Sequence, residues 1–256
     1  MPKPAPRMKI EAGTAVLRPL KTSETVARDI VHSVVTGGLG NGDSLPSEAR
    51  MLEQYGVSRE SLREGLRLLE AQGLITLRRG PGGGPVVGKV DPANLGRVST
   101  LYYHLVGANY GELFEAWAVA EGYLAERAAR NEDRALVRAT LEPYLTVEDP
   151  DLGDLEEFVA HHTEFHTDVG ALAGNRVMQL SLMAIGQTVT HHIANTADPR
   201  DVADILLHDH RLIAAAIIAG KPIKARDLMR VHLEGVADFY DQLSGGEILD
   251  QLIEWR

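Results

Sequence analysis

Two residue patterns in this 256-residue chain could do chemistry, one of histidines and one of arginines. His161, His162 and His166 stand in the segment LEEFVAHHTEFHTDVGALA over 155–173. On a helix His162 and His166 are about one turn apart, so both rings leave the same face. His210 and His232 belong to two later helical segments, and a bundle core can bring four such side chains to one point. Neutral imidazole suits Zn, Ni, Cu or Fe, and three histidines plus one exchangeable position make an open metal site. Glu164 lies in an H-x-E-x-H run, not H-E-x-x-H, so it points away from the ring pair and no protease helix forms. The second pattern is Arg59, Arg63 and Arg67 at four-residue spacing, opposite Leu62, Leu66 and Leu69. Like charges so spaced repel one another mildly, and the row makes better sense against phosphate than against water.

The elements that position the arginines lie in LPSEARMLEQYGVSRESLREGLRLLEAQGLITLRRGPGGGPVV, residues 45–87. Ser47 is an N-cap with no capping box, since Arg50 stands three residues on. Ala49, Leu52 and Tyr55 are expected to form the apolar face of a first helix that ends at Gly56. Val57 plugs the turn, and Ser58 caps a second helix that Gly73 closes. LITLRR and GPVV alternate as two short strands around a glycine-rich tip. This is helix, tight turn, helix and basic hairpin, a unit that can enter a DNA groove. The GPGGGP run is no P-loop, because no GK[ST] follows it.

This segment resembles the winged helix-turn-helix of the GntR family of bacterial transcription regulators. The matching pieces are Leu45-Pro46-Ser47-Glu48, Gly56-Val57-Ser58-Arg59, Arg63-Glu64-Gly65-Leu66, Leu69-Glu70 and Gly73-Leu74. The resemblance implies that Arg59 and Arg63 reach base edges while Ser58, Ser61, Arg78 and Arg79 hold phosphates. Gly80, Gly82 and Gly83 would let the wing approach the minor groove. The chain departs from the family where Ala49 replaces a DNA-contacting Arg. Arg50, displaced by one, is counted with the DNA contacts. Gly65 replaces a usual Ala, at a helix cost of up to about 1 kcal/mol.

The rest of the chain is helical in pattern. Ser23 is read as the cap of an opening helix with Val26, Ile30 and Val34 inside. Helical segments follow over 113–130, 155–173, 175–195, 201–219 and 222–243. The expected fold is mainly α: an N-terminal winged helix-turn-helix with a small β-hairpin, then an all-α bundle of six or seven helices. The expected boundaries are a mobile arm over 1–20, a DNA-binding domain over 21–90, an effector and metal domain over 94–243, and a tail over 244–256. The net charge of −10 is divided unevenly. Residues 1–90 hold 13 Lys and Arg against 9 Asp and Glu, whereas 91–256 hold 13 against 27. The basic end suits phosphate. Cysteine is absent, which removes disulfides and thiolate metal sites. No run of eighteen apolar residues occurs and the first residues lack a secretory h-region, so the expected compartment is the cytoplasm, with no membrane contact.

From residue 95 to 240 the chain resembles the ligand-binding domain of the FadR-type branch of the same family. The landmarks are Glu121, Phe165-His166, Gly174-Asn175, Asp209-His210 and His232. In that branch three His and one Asp hold a divalent metal under a ligand cavity. The resemblance puts His166, His210 and His232 on the His positions and His162 where the Asp stands. Either His162 is a fourth ligand or it has swung away for water. The implied cofactor is a divalent metal, with Zn first and Ni or another ion as alternatives, since an all-nitrogen set disfavours Mg and Ca. Trp117 replaces a carboxylate-gripping Arg, so it is either an apolar wall of the effector site or plain core. Glu121 and Asn175 are further effector candidates, though Asn175 also fits a turn. The His191-His192 pair is read as exposed or pocket-lining. The reading is a non-enzymatic, ligand-responsive repressor of a metabolic operon. It binds a pseudo-palindromic double-stranded operator as a homodimer and answers to a carboxylate metabolite. The alternatives are a metal-free regulator of the acyl-CoA type and a metallohydrolase.

Overall fold

The computed structural model describes residues 8–10, 19–80, 83–146, 155–193 and 203–255. The side chains of 155–159, 161, 191–193 and 203–206 lie outside this description. The chain divides into two compact units, one over Glu11–Asn94 and one over Leu95–Arg256 together with Met1–Ile10.

The first unit opens with α1 (Thr22–Thr36), α2 (Glu48–Tyr55) and α3 (Arg59–Ala71). An antiparallel hairpin follows, β1 (Ile75–Arg78) and β2 (Gly84–Val87), in register Ile75 to Val87 and Arg78 to Gly84. Its core joins Val26 and Ile30 of α1 to Leu62, Leu66 and Leu69 of α3, with Met51 and Ile75 closing the ends. Ser23 does not cap α1. It is buried within the helix, and the cap residue is Lys21, whose N–H donates to the Glu24 carboxylate at 2.9 Å. The α2 seam is also displaced from expectation: Met51 is fully buried with Leu52 and Tyr55 beside it, while Ala49 is exposed. A further rung precedes α2, where Ser44 bridges Val86 and Leu45 donates its N–H to the Pro85 carbonyl at 2.9 Å. One bridge is too short to leave an alternating pattern in the sequence.

Gly65 has a packing reason. A Cβ there would lie 2.9 Å from the Ser23 carbonyl oxygen and 3.4 Å from Val26 Cγ1. Glycine lets α1 and α3 approach closely, so its propensity cost is offset by the contact. We expect Gly65→Ala to lower stability by about 1–3 kcal/mol, because crowding a backbone oxygen outweighs the gain of up to about 1 kcal/mol in helix propensity. Thermal denaturation checks this, and a raised midpoint would refute it.

Among the described residues the second unit is built of helices, the first starting just ahead of the boundary: α4 (Pro92–Val106), α5 (Tyr110–Ala129), α6 (Arg134–Leu141) with a 3₁₀ turn at Glu142–Leu145, α7 (Leu155–Leu172), α8 (Arg176–Ile193), α9 (Ala203–Ile218) and α10 (Pro222–Leu243). α5 runs through the middle and is buried on both sides. Phe114, Trp117 and Leu124 meet Leu182 of α8 and Leu233 of α10 in one cluster. Ala125 and Ala128 meet Phe165 of α7, Ile213 of α9 and Met229 of α10 in a second. Small residues on the second side of α5 let α7 and α9 come close. Residues 244–255, expected as a tail, return to the bundle. Ile248 and Ile253 are buried, and the Ile253 N–H donates to the Ala108 carbonyl at 2.9 Å.

Candidate functional site

Local capping chemistry sets the arginine row. The Ser47 hydroxyl accepts the Arg50 N–H at 3.4 Å, and Gly56 ends α2 in the left-handed region at φ 62°. Ser58 then caps α3, its hydroxyl accepting the Ser61 N–H at 3.1 Å. The Ser58 hydroxyl also donates to Ser61 Oγ at 3.0 Å, so both side chains expected at phosphates are engaged with each other here. Leu62, Leu66 and Leu69 bury one face of α3, which leaves Arg59, Arg63 and Arg67 exposed on the other. Arg63 pairs with Glu48 of α2 at 3.2 Å, a partner fifteen residues away that no helix rule points to. Both members are largely exposed, so the pair contributes at most about 1 kcal/mol. Glu70 Oε1 accepts the Leu77 N–H at 3.3 Å and ties α3 to the hairpin. Arg50, Arg78 and Arg79 are exposed, and Gly80 bends the wing at φ 98°. Gly82 lies outside the described residues.

In the helical unit α7 presents His162 and His166, α9 presents His210, and α10 presents His232. One nitrogen from each ring lies within 4.8 Å of those from the other three. Ring centroids are 4.9 Å apart for His162 and His210, 4.8 Å for His210 and His232, and 5.6 Å for His166 and His232. His210 is 2% exposed and His232 1%. Phe165, fully buried between His162 and His166 in sequence, stacks on the His210 ring with centroids 3.9 Å apart and holds it in place. The His232 Nδ1 meets Asp209 Oδ2 at 3.3 Å, and the His166 Nδ1 meets Glu121 Oε2 at 3.5 Å. The Nε2 atoms of His166 and His232 have no hydrogen-bond partner among the described residues. Two buried Nε2 atoms without a hydrogen-bond partner, those of His166 and His232, within a group of four imidazoles suit a cation, since an unsatisfied buried polar atom costs about 1–3 kcal/mol. Metal–nitrogen bonds of about 2.1 Å place tetrahedral ligand atoms about 3.4 Å apart, so the widest pair, within 4.8 Å here, closes by up to about 1.4 Å when an ion is held.

Burial pushes the His232 imidazole below its ordinary value of 6.5, and positive charge on His166 adds to this, while Asp209 and Glu121 oppose it. A histidine whose folded pKa is lowered binds its proton more readily unfolded, so stability falls as pH drops through 6.5. We expect chelator-treated protein to melt at progressively lower temperature between about pH 7.5 and about pH 5.5. A melting temperature that stays level across that window would argue against it.

A cavity opens beside the histidines, bounded by Trp117 and Glu121 of α5, His162 and His166 of α7, and Gln179 and Gln187 of α8. Trp117 is both core and wall: it packs in the α5 cluster and donates its indole N–H to Glu121 Oε1 at 3.4 Å. Asn175 is not part of this lining. Its Oδ1 accepts the Met178 N–H at 3.1 Å, a capping bond at the start of α8. The side chains of His161, His191 and His192 lie outside the described residues. Gln179, Gln187 and Thr190 were not anticipated as lining. Their signal was present as polar interruptions at roughly helical spacing along an otherwise apolar α8.

Comparison with known proteins matches residues 22–83 to the model of bacterial regulatory proteins of the gntR family, which spans the exposed arginines and most of the wing. Residues 112–235 match the FCD domain, which contains all four clustered histidines. This chain belongs to the GntR family, in its FCD branch. It is therefore a transcription regulator with a DNA-binding and a ligand-responsive part, not an enzyme. The chain is 27% identical over 219 residues to the Bacillus subtilis HTH-type transcriptional regulator YcbG, covering 84% of this chain and 88% of that one. It is 28% identical over 242 residues to the HTH-type transcriptional repressor NanR of Salmonella newport, covering 86% of each. A solved Streptococcus agalactiae GntR structure shares the fold, with TM-score 0.59 and 24% identity over 84% of this chain and 99% of that one. No described helix is long and apolar enough to cross a membrane.

Proposed function

We propose that this regulator is a cytoplasmic, homodimeric repressor that senses a compact carboxylate through a divalent metal held by His162, His166, His210 and His232. The observation that carries the reading is the convergence of four imidazole nitrogens from α7, α9 and α10 beside a cavity. Nitrogen-only donors favour Zn or Ni over Mg or Ca. The described lining has no Lys or Arg, and Glu121 by itself would repel an anion. When bound, the ion supplies the positive charge and open position that a carboxylate oxygen needs. Gln187 offers a side-chain amide, Gln179 lines the cavity with its amide nitrogen donating to the Thr167 carbonyl at 3.1 Å, and Trp117 gives an apolar wall. The free volume is about 50 Å³. At roughly 10–15 Å³ per water-sized group, that suits a compact acid. A metal-free acyl-CoA reading would leave the four imidazoles without a cation.

On the DNA side, residues 21–90 form the operator-binding domain and 94–243 the effector domain. Arg59 and Arg63 reach guanine edges, while Arg50, Arg78, Arg79 and the wing glycines Gly80 and Gly82 track the backbone. Two copies match two half-sites of a pseudo-palindrome. Effector binding shifts operator affinity by the differential it brings, typically about 1–3 kcal/mol. The test is operator binding by the zinc-loaded full chain against a panel of small mono- and dicarboxylates. One acid should weaken binding by about 5- to 150-fold, and chelation should abolish the response. A response that survives chelation would overturn the reading.

A further inference from the structure

Four neutral imidazoles around a divalent ion leave two positive charges unbalanced in a buried site, which is costly unless anions stand close by. Two carboxylates do. Glu121, on α5, has a side chain only 4% exposed, and its Oε2 lies 3.5 Å from His166 Nδ1. Asp209, one residue before His210 on α9, has Oδ2 3.3 Å from His232 Nδ1, with its side chain 28% exposed. The two pairs share one arrangement. In each a carboxylate faces the Nδ1 edge, hydrogen-bonded for Asp209 and just short of a hydrogen bond for Glu121, and the Nε2 left over has no hydrogen-bond partner among the described residues. Trp117 holds the other oxygen of Glu121 from the cavity side, which orients that carboxylate toward His166.

We infer that Glu121 and Asp209 are positioning residues of the metal site, each fixing one histidine as its Nδ1–H tautomer so that His166 and His232 bind through Nε2, and together supplying the two negative charges that the imidazole set lacks. This rests on the metal reading above. It takes Glu121 away from effector contact and gives it to the metal. A carboxylate on the far nitrogen raises the basicity of a ligating imidazole and locks its ring, and loss of such a partner costs about 10- to 100-fold in metal affinity.

The test is zinc affinity of the full chain, measured by competition with a fluorescent chelator, for wild type, Glu121→Gln and Asp209→Asn. Each isosteric variant should lose affinity by about 10- to 100-fold. The metal-free melting temperature should stay near that of wild type, which a purely structural role would not allow. In zinc-loaded wild type, nitrogen-15 spectra of the imidazoles should show Nδ1–H and metal-bound Nε2 at both His166 and His232. Should Glu121→Gln fail to fold, the more exposed Asp209→Asn tests the same arrangement alone. Zinc affinities within about threefold of wild type, or zinc on Nδ1 of either ring, would overturn the inference while leaving the metal reading intact. A wild type that binds no zinc would remove both.

Discussion

Arg59→Ala is expected to abolish specific operator binding while leaving the chain folded. Arg59 is the first residue of α3, exposed beside the Ser58 cap, at the helix end that enters a major groove in this type of module. An arginine that forks onto a guanine contributes about 1–3 kcal/mol of discrimination. In the proposed dimer that is lost twice, so specific affinity should fall by about 30-fold to 10⁴-fold. Removal of the side chain leaves Leu62, Leu66 and Leu69 untouched, so melting should move little. Fluorescence anisotropy on operator and on scrambled duplex at moderate salt separates the two effects. If the preference for operator survives, α3 is not the reading helix.

His210→Ala should produce the largest stability change. The ring is buried, stacked on Phe165 and surrounded by the other three histidines. Its removal leaves a cavity worth about 2–4 kcal/mol even without metal. It also removes one ligand, so the stabilisation from bound ion, about 2.7 kcal/mol at a hundredfold excess over Kd, should largely vanish. The telling comparison is the difference between melts with and without chelator, large in wild type and near zero in the variant. Metal content equal to wild type would dismiss this ligand set.

The features most readable from the sequence were those with a local period. Leucines and arginines on opposite faces of α3, the Ser58 cap, the left-handed Gly56 and the hairpin all follow from spacing over a dozen residues or fewer. The i, i+4 pair of His162 and His166 did as well, and resemblance brought in His210 and His232. What the sequence hid was decided by packing between distant elements. Ser23 looks like a cap, yet it faces Gly65 across the α1 and α3 contact, and the Glu24 carboxylate closes the helix end instead. Asn175 offers the same amide to a ligand or to its own helix, and only the fold shows that the Met178 N–H takes it. Glu48 with Arg63, Glu121 with His166 and Asp209 with His232 join separate helices, and no periodicity within one helix encodes such a pair.

Metal analysis of the purified full chain, before and after chelation and re-addition of zinc, tests the central claim most directly. The account predicts a single divalent ion per chain, lost to chelator with a fall in melting temperature and restored by zinc. A chain that carries no divalent ion, and whose melting temperature zinc does not move, would contradict it.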